Sequence, residues 1–130
     1  MIKHKPVNHC IVLLGSNVEP YSSMPVALEA LRGVDAQLLC LPQQLTAAAG
    51  GGGKPPYMNQ LVSLKTTLSA NELTARFKEL EKKLGRTPED KLAGRVIIDI
   101  DLVYFNDQLL KPFEASLPYV VEGVDSLKNL

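Results

Sequence analysis

Asp99 and Asp101 are the residues of this chain whose type and spacing point most directly to chemistry. They stand in Val96-Ile97-Ile98-Asp99-Ile100-Asp101-Leu102-Val103-Tyr104-Phe105, a run of β-branched and aromatic residues that favours a strand. On a strand successive side chains face opposite ways, so the two acids share one face while Ile98, Ile100 and Leu102 share the other. Their Cα atoms lie roughly 6.5–7 Å apart, which puts both carboxylates within reach of one cation or a pair of cations. Mutual repulsion opposes leaving them unneutralised. The pattern implies something cationic between them, one metal or a pair; a solvated edge strand that carries acids to deter pairing is the competing reading.

The elements that must hold this strand can be taken in order. Cys10-Ile11-Val12-Leu13-Leu14 is a continuous apolar run suited to a buried central strand, and Gly15-Ser16-Asn17 gives it a tight exit. Ser22 or Ser23 is placed to cap a helix that Pro25 helps to start; Met24, Ala27, Leu28 and Leu31 form its apolar stripe, and Gly33 ends it. Val34 to Leu41 reads as a second strand closed by Pro42. The four glycines Gly50 to Gly53 precede Lys54 but do not make a phosphate-binding loop, because Ala48 and Pro55 stand where that motif needs Gly and Ser or Thr. The run is either a flexible connection or a lid over a substrate. Met58 to Thr67 carries a third strand, with Val62, Leu64 and Thr66 on one face and Asn59, Leu61 and Ser63 on the other.

Ser69 and Glu72 form a capping box for the clearest helix, in which Leu73, Phe77, Leu80 and Leu84 make one stripe before Gly85 ends it. Glu81 falls roughly 70° from the centre of that stripe, at the edge of the buried face. By spacing alone, a solvated charge among Lys78, Lys82 and Lys83 is the commoner outcome. A polar connection, 87–94, leads into the acid-bearing strand. Asn106-Asp107 then offers a turn, Gln108 to Lys111 a short return strand, and 112–130 too weak a periodicity to assign. The order implies an α+β fold: a ferredoxin-like βαββαβ sandwich, with a mainly antiparallel four-stranded sheet and two helices on one face.

At 130 residues the chain is expected to form a single domain, 1–130, able to bury a core without disulfides. Fourteen basic and fourteen acidic residues leave no net field to draw nucleic acid or an anionic membrane, so an anionic ligand must be held by local arrangement. Cys10 and Cys40 both lie in apolar runs and are expected in the core, which fits a reducing, cytoplasmic setting. The basic start is followed by an apolar run too short for a secretory signal or a membrane span. Oligomeric state is not legible.

Four pieces then coincide in order: Leu14-Gly15-Ser16-Asn17, Tyr57-Met58-Asn59, Glu81-Lys82-Lys83-Leu84-Gly85-Arg86 and Asp99-Ile100-Asp101. Together they resemble the 6-hydroxymethyl-7,8-dihydropterin pyrophosphokinase family of folate biosynthesis, from about Cys10 to Asp107. The resemblance implies transfer of the pyrophosphoryl group of ATP to a pterin alcohol, with two Mg²⁺ ions held by Asp99 and Asp101. It assigns the pterin to Thr46, Tyr57 and Asn59, the nucleotide to Glu81 and Leu102, and catalytic contacts with the phosphates to Arg86 and Arg95. The segment 87–94 carries no Arg or Trp where the family places both, and Arg95 stands one residue early relative to the family's second arginine. These departures keep a second reading open, a relative of reduced activity that only binds pterin or nucleotide. A third, an unrelated ferredoxin-like binding module, would make the acid pair surface charge.

Overall fold

The computed structural model describes residues 5–46 and 56–128; the glycine-rich stretch, with its phosphate-loop and lid readings, lies outside the described residues. In chain order the elements are β1 (Asn8–Ser16), α1 (Pro20–Arg32), β2 (Leu39–Cys40), β3 (Gln44–Thr46), β4 (Tyr57–Thr66), α2 (Ala70–Lys83), α3 (Pro88–Leu92), β5 (Asp99–Phe105), β6 (Gln108–Leu109), α4 (Pro112–Ala115) and α5 (Pro118–Lys128). The expected mixture of helices with an antiparallel sheet is present. The four strands and two helices expected are corrected to six strands and five helices among the described residues.

β1 runs through the middle of the sheet, whose order is β2-β4-β1-β5-β6, with β3 also paired to β4. Every pairing is antiparallel. Alternation along β1 gives it two apolar faces, so both faces of the sheet must be covered. Val12 and Leu14, with Val62, Ile100 and Leu102, pack under Met24 and Leu31 of α1 and Leu73 and Phe77 of α2. Ile11 and Leu13, with Leu61 and Val103, pack under Val120, Val124 and Leu127 of α5. The second cover was missing from the expected fold. Between Ile11 and Val12 the register with β5 shifts from Tyr104 to Leu102, which leaves Val103 as an extra residue in β5. Val103 and Tyr104 consequently both pack toward α5.

Local chemistry explains the other differences. The strand expected over Val34 to Leu41 shrinks to Leu39–Cys40, because Asp35 folds the preceding chain into a turn. Its carboxylate accepts from the backbone N–H of Gln37 at 3.0 Å and of Lys65 at 2.9 Å, and its carbonyl from Leu38 at 3.2 Å. α1 starts at Pro20 rather than at Ser22 or Ser23. Glu19, at φ 44°, turns the chain so that its carbonyl accepts from both serine N–H groups, and Pro25 lies inside the helix. Cys10 is buried, and burial pushes its thiol up to about 11, but Cys40 is exposed on the edge strand rather than in the core. The connection 87–94 contains α3. Ser69 caps α2 as expected, its hydroxyl accepting from Glu72 N–H while the Glu72 carboxylate accepts from Ser69 N–H.

Candidate functional site

Tyr57 and Asn59 of β4 and Asp99 and Asp101 of β5 have the strand parity of Leu61 and Val103, so all four side chains belong to the α5 side of the sheet. Between them runs β1, whose Gly15 pairs with Asn59 on one side and Asp99 on the other. The missing Gly15 side chain lets the Tyr57 ring lie across β1; a Cβ there would meet Tyr57 Cε1 at 2.6 Å. The phenol thus reaches two strands over and donates to Asp99 Oδ2 at 2.9 Å. Around this group lies a cavity of about 300 Å³ whose walls also include Leu13, Thr46, Phe113, Glu114 and Tyr119.

Asp99 is held at both oxygens, since the Arg86 guanidinium pairs with Oδ1. Arg86 also bonds Glu81 Oε2 at 3.0 Å, and that same oxygen accepts from the buried Ile100 N–H at 2.8 Å. Glu81 is 3% exposed, so the solvated reading is corrected: it is a buried acid that joins the end of α2 to the start of β5. Lys78 reaches its other oxygen at 3.4 Å from solvent. Asp101, in contrast, has no ion pair or side-chain hydrogen bond among the described residues. Burial, then the Asp99 charge, pushes its carboxyl up to about 6, with Lys111 opposing and Glu114 and Glu81 adding to the rise. Burial and Asp99 also push the Tyr57 phenol upward, keeping it a proton donor. A half-buried acid pair with one member uncompensated suits a hard cation. No group of three His, Cys, Asp or Glu gathers among the described residues, and two carboxylates match Mg²⁺, which draws most of its remaining ligands from water and phosphate.

Asn59 forms the opposite wall. Its Nδ2 donates to Thr46 Oγ1 at 2.8 Å and lies 3.2 Å from the Tyr57 carbonyl, while its Oδ1 accepts from the Tyr119 hydroxyl at 3.0 Å. The structure therefore brings Thr46, Tyr57, Asn59, Asp99 and Asp101 to one cavity, with Arg86 behind Asp99. Two expected residues lie elsewhere. Leu102 is buried between the sheet and helices α1 and α2. Arg95 is 62% exposed and faces α3, its Nε 3.7 Å from Asp90.

Asn17 accounts for the setting of Arg95. Its side chain accepts from Val96 N–H at 2.6 Å and donates to the Gly94 carbonyl at 2.8 Å, and its own N–H donates to the Val96 carbonyl at 2.8 Å. The backbone on both sides of Arg95 is thereby fixed to the end of β1. Gly15-Ser16-Asn17 was legible as a tight exit but not as this clamp. Phe113 and Glu114 escaped notice because the tail gave no periodicity from which to place them.

The family described as 7,8-dihydro-6-hydroxymethylpterin-pyrophosphokinase matches residues 11–124. This chain belongs to that family. The matched span takes in the cavity residues from Leu13 to Tyr119. Among curated proteins, the chain is 28% identical over 117 residues to a 2-amino-4-hydroxy-6-hydroxymethyldihydropteridine pyrophosphokinase of Synechocystis sp. (strain ATCC 27184 / PCC 6803 / Kazusa), covering 84% of this chain and 56% of that protein. It is 27% identical over 115 residues to the Bacillus subtilis (strain 168) protein of the same name, covering 86% of this chain and 68% of that one. The chain thus spans little more than half the length of the Synechocystis pyrophosphokinase.

Proposed function

We propose that this chain transfers the pyrophosphoryl group of ATP to 6-hydroxymethyl-7,8-dihydropterin in folate biosynthesis. The alcohol oxygen bonds to the β-phosphorus, the bond from that phosphorus to the oxygen shared with the α-phosphate breaks, and AMP and the alcohol's proton are released. The observation that carries this reading is the meeting, in one cavity, of the acid pair Asp99 and Asp101 with the amide and aromatic groups of Asn59, Tyr57 and Thr46. Family membership supports it independently. The ferredoxin-like reading of the fold is retained for β1, α1, β2, β4, α2 and β5, supported by the order β2-β4-β1-β5.

In this reading the pterin lies against Tyr57, with Asn59 and Thr46 at its polar edge. Asp99 and Asp101 would hold two Mg²⁺ ions, which supply charge neutralisation at the phosphates. Arg86, whose two carboxylate partners both meet Nη1, would give a planar, bidentate contact to two oxygens of a phosphate. It also borders a hollow of about 280 Å³ lined by Lys78, Glu81, Lys82, Thr87 and Pro88, whose basic residues suit the nucleotide's phosphates. Leu102 would contribute to the nucleotide site through its backbone alone, because its side chain is committed to the core. Arg95 would reach the phosphates only after leaving Asp90. No helix among the described residues is long and apolar enough to cross a membrane, and a cytoplasmic location goes with folate synthesis.

The setting of Arg95, with the lack of Arg and Trp over 87–94, favours the second reading: a relative of reduced activity that binds pterin or nucleotide. Incubation with Mg²⁺, ATP and the pterin alcohol separates the two. AMP release that is lost in Asp99→Ala and Asp101→Ala is the expected result, whereas AMP release surviving both substitutions would refute the acid-pair assignment. Absence of turnover combined with calorimetric binding of the pterin would establish the binding-only relative.

A further inference from the structure

We propose that Tyr119 is a positioning residue of this site: through its hydroxyl, α5 tethers the carbonyl oxygen of Asn59, whose NH₂ is taken by protein acceptors, so that a ligand meets that oxygen, an acceptor, in a fixed place. The proposal rests on the pterin reading of the cavity and specifies which edge of the heterocycle Asn59 takes, an N–H edge.

Asn59 is 4% exposed, so its hydrogen-bonding capacity is settled by its neighbours. The amide nitrogen has two protons and faces three protein acceptors: Thr46 Oγ1 at 2.8 Å and the carbonyls of Tyr57 and Gln44 at 3.2 and 3.4 Å. The two carbonyls only accept, so turning the amide over would set oxygen against oxygen. Oδ1 accepts from Tyr119 at 3.0 Å and keeps a second lone pair for a ligand. Burial and Glu114 push the Tyr119 phenol upward, which preserves its proton for donation.

Packing makes the contact durable. Val120, Val124 and Leu127 anchor α5 on the sheet, so the hydroxyl is held by a helix rather than by a loose side chain. Tyr119 and Asn59 also line a second cavity, of about 210 Å³, on whose wall Gln44, Glu122 and Ser126 lie. Asn59 and Tyr119 thus belong to the walls of both cavities, and their hydrogen bond is part of each wall.

Pterin fluorescence titrations of the metal-free chain test this. Tyr119→Phe keeps the ring and removes the donor, and is expected to weaken pterin binding about ten-fold, the effect of losing one hydrogen bond. Binding of a non-hydrolysable ATP analogue, measured with Mg²⁺ added, should not change. In an Asn59→Ala background, Tyr119→Phe should have no further effect, because its partner is gone. Unaltered pterin affinity in Tyr119→Phe would overturn the proposal while leaving the functional reading intact, and so would an equal loss in the Asn59→Ala background. Failure of the unsubstituted chain to bind the pterin would overturn both.

Discussion

Gly15 shapes the site by what it lacks. A methyl group at this position would press on the Tyr57 ring at 2.6 Å, and that ring is what carries the phenol over β1 to Asp99. Gly15→Ala is therefore expected to displace Tyr57 and to weaken pterin binding by about ten-fold or more. Tyr57→Phe, which keeps the ring and loses only the bond to Asp99, should retain more of the affinity; titrations of both variants compare the two losses. Asp101 gives a pH signature. Its carboxyl goes from an ordinary 3.8 to about 6 in the fold, so the native protein holds this proton more tightly than the unfolded chain. The resulting stabilisation is full below 3.8 and is lost as pH rises through about 6. Thermal melts of metal-free Asp101→Asn should accordingly gain on the unsubstituted chain at pH 7 relative to pH 4, and added Mg²⁺ should raise the melting temperature of the unsubstituted chain alone.

Among the elements, α2 was legible in its limits and its apolar stripe, though not in the burial of Glu81, because its capping box, stripe and terminal glycine all agree. Ser69→Ala should lower stability by about 1 kcal/mol through loss of the cap, measurable by denaturant unfolding. α5 escaped notice although Val120, Gly123, Val124 and Leu127 are buried at regular helical spacing. One of these four is glycine, so the apolar stripe was thin in sequence. Gly123 sits where α5 crosses β4, and a side chain there would run into Leu61 and Leu41. Gly123→Val should cost about 1–3 kcal/mol by overpacking, and the same unfolding measurement would show it. β2 was overestimated for the converse reason: the apolar residues of 34–41 suggested a strand, but Asp35 took the backbone N–H groups of Gln37 and Lys65.

For the whole molecule, the decisive arrangement is a sheet with both faces covered. α1 and α2 build one core and α5 the other, and the candidate site lies where the second core ends and polar residues begin. Ending the chain at residue 111 would remove α4, α5 and Tyr119 and expose Ile11, Leu13, Leu61 and Val103. Such a chain is expected to bind hydrophobic dyes and to lose pterin affinity, with the far-ultraviolet signal of the sheet largely retained. Dye fluorescence and circular dichroism on the truncated protein check this.

The sequence by itself determined what depends on neighbours along the chain: the alternation that puts Asp99 and Asp101 on one face, the helix that carries Glu81, and the order of the motifs. Tertiary structure alone decided the contacts between distant segments. Tyr57 meets Asp99 across 42 residues, Tyr119 meets Asn59 across 60, and Asn17 fixes Val96, and with it the setting of Arg95, across 79. Strand and helix periods fix which way a side chain points relative to its neighbours. They carry no information about which distant group it will meet, because that depends on register, on the extra residue in β5, and on a helix folding back over the sheet.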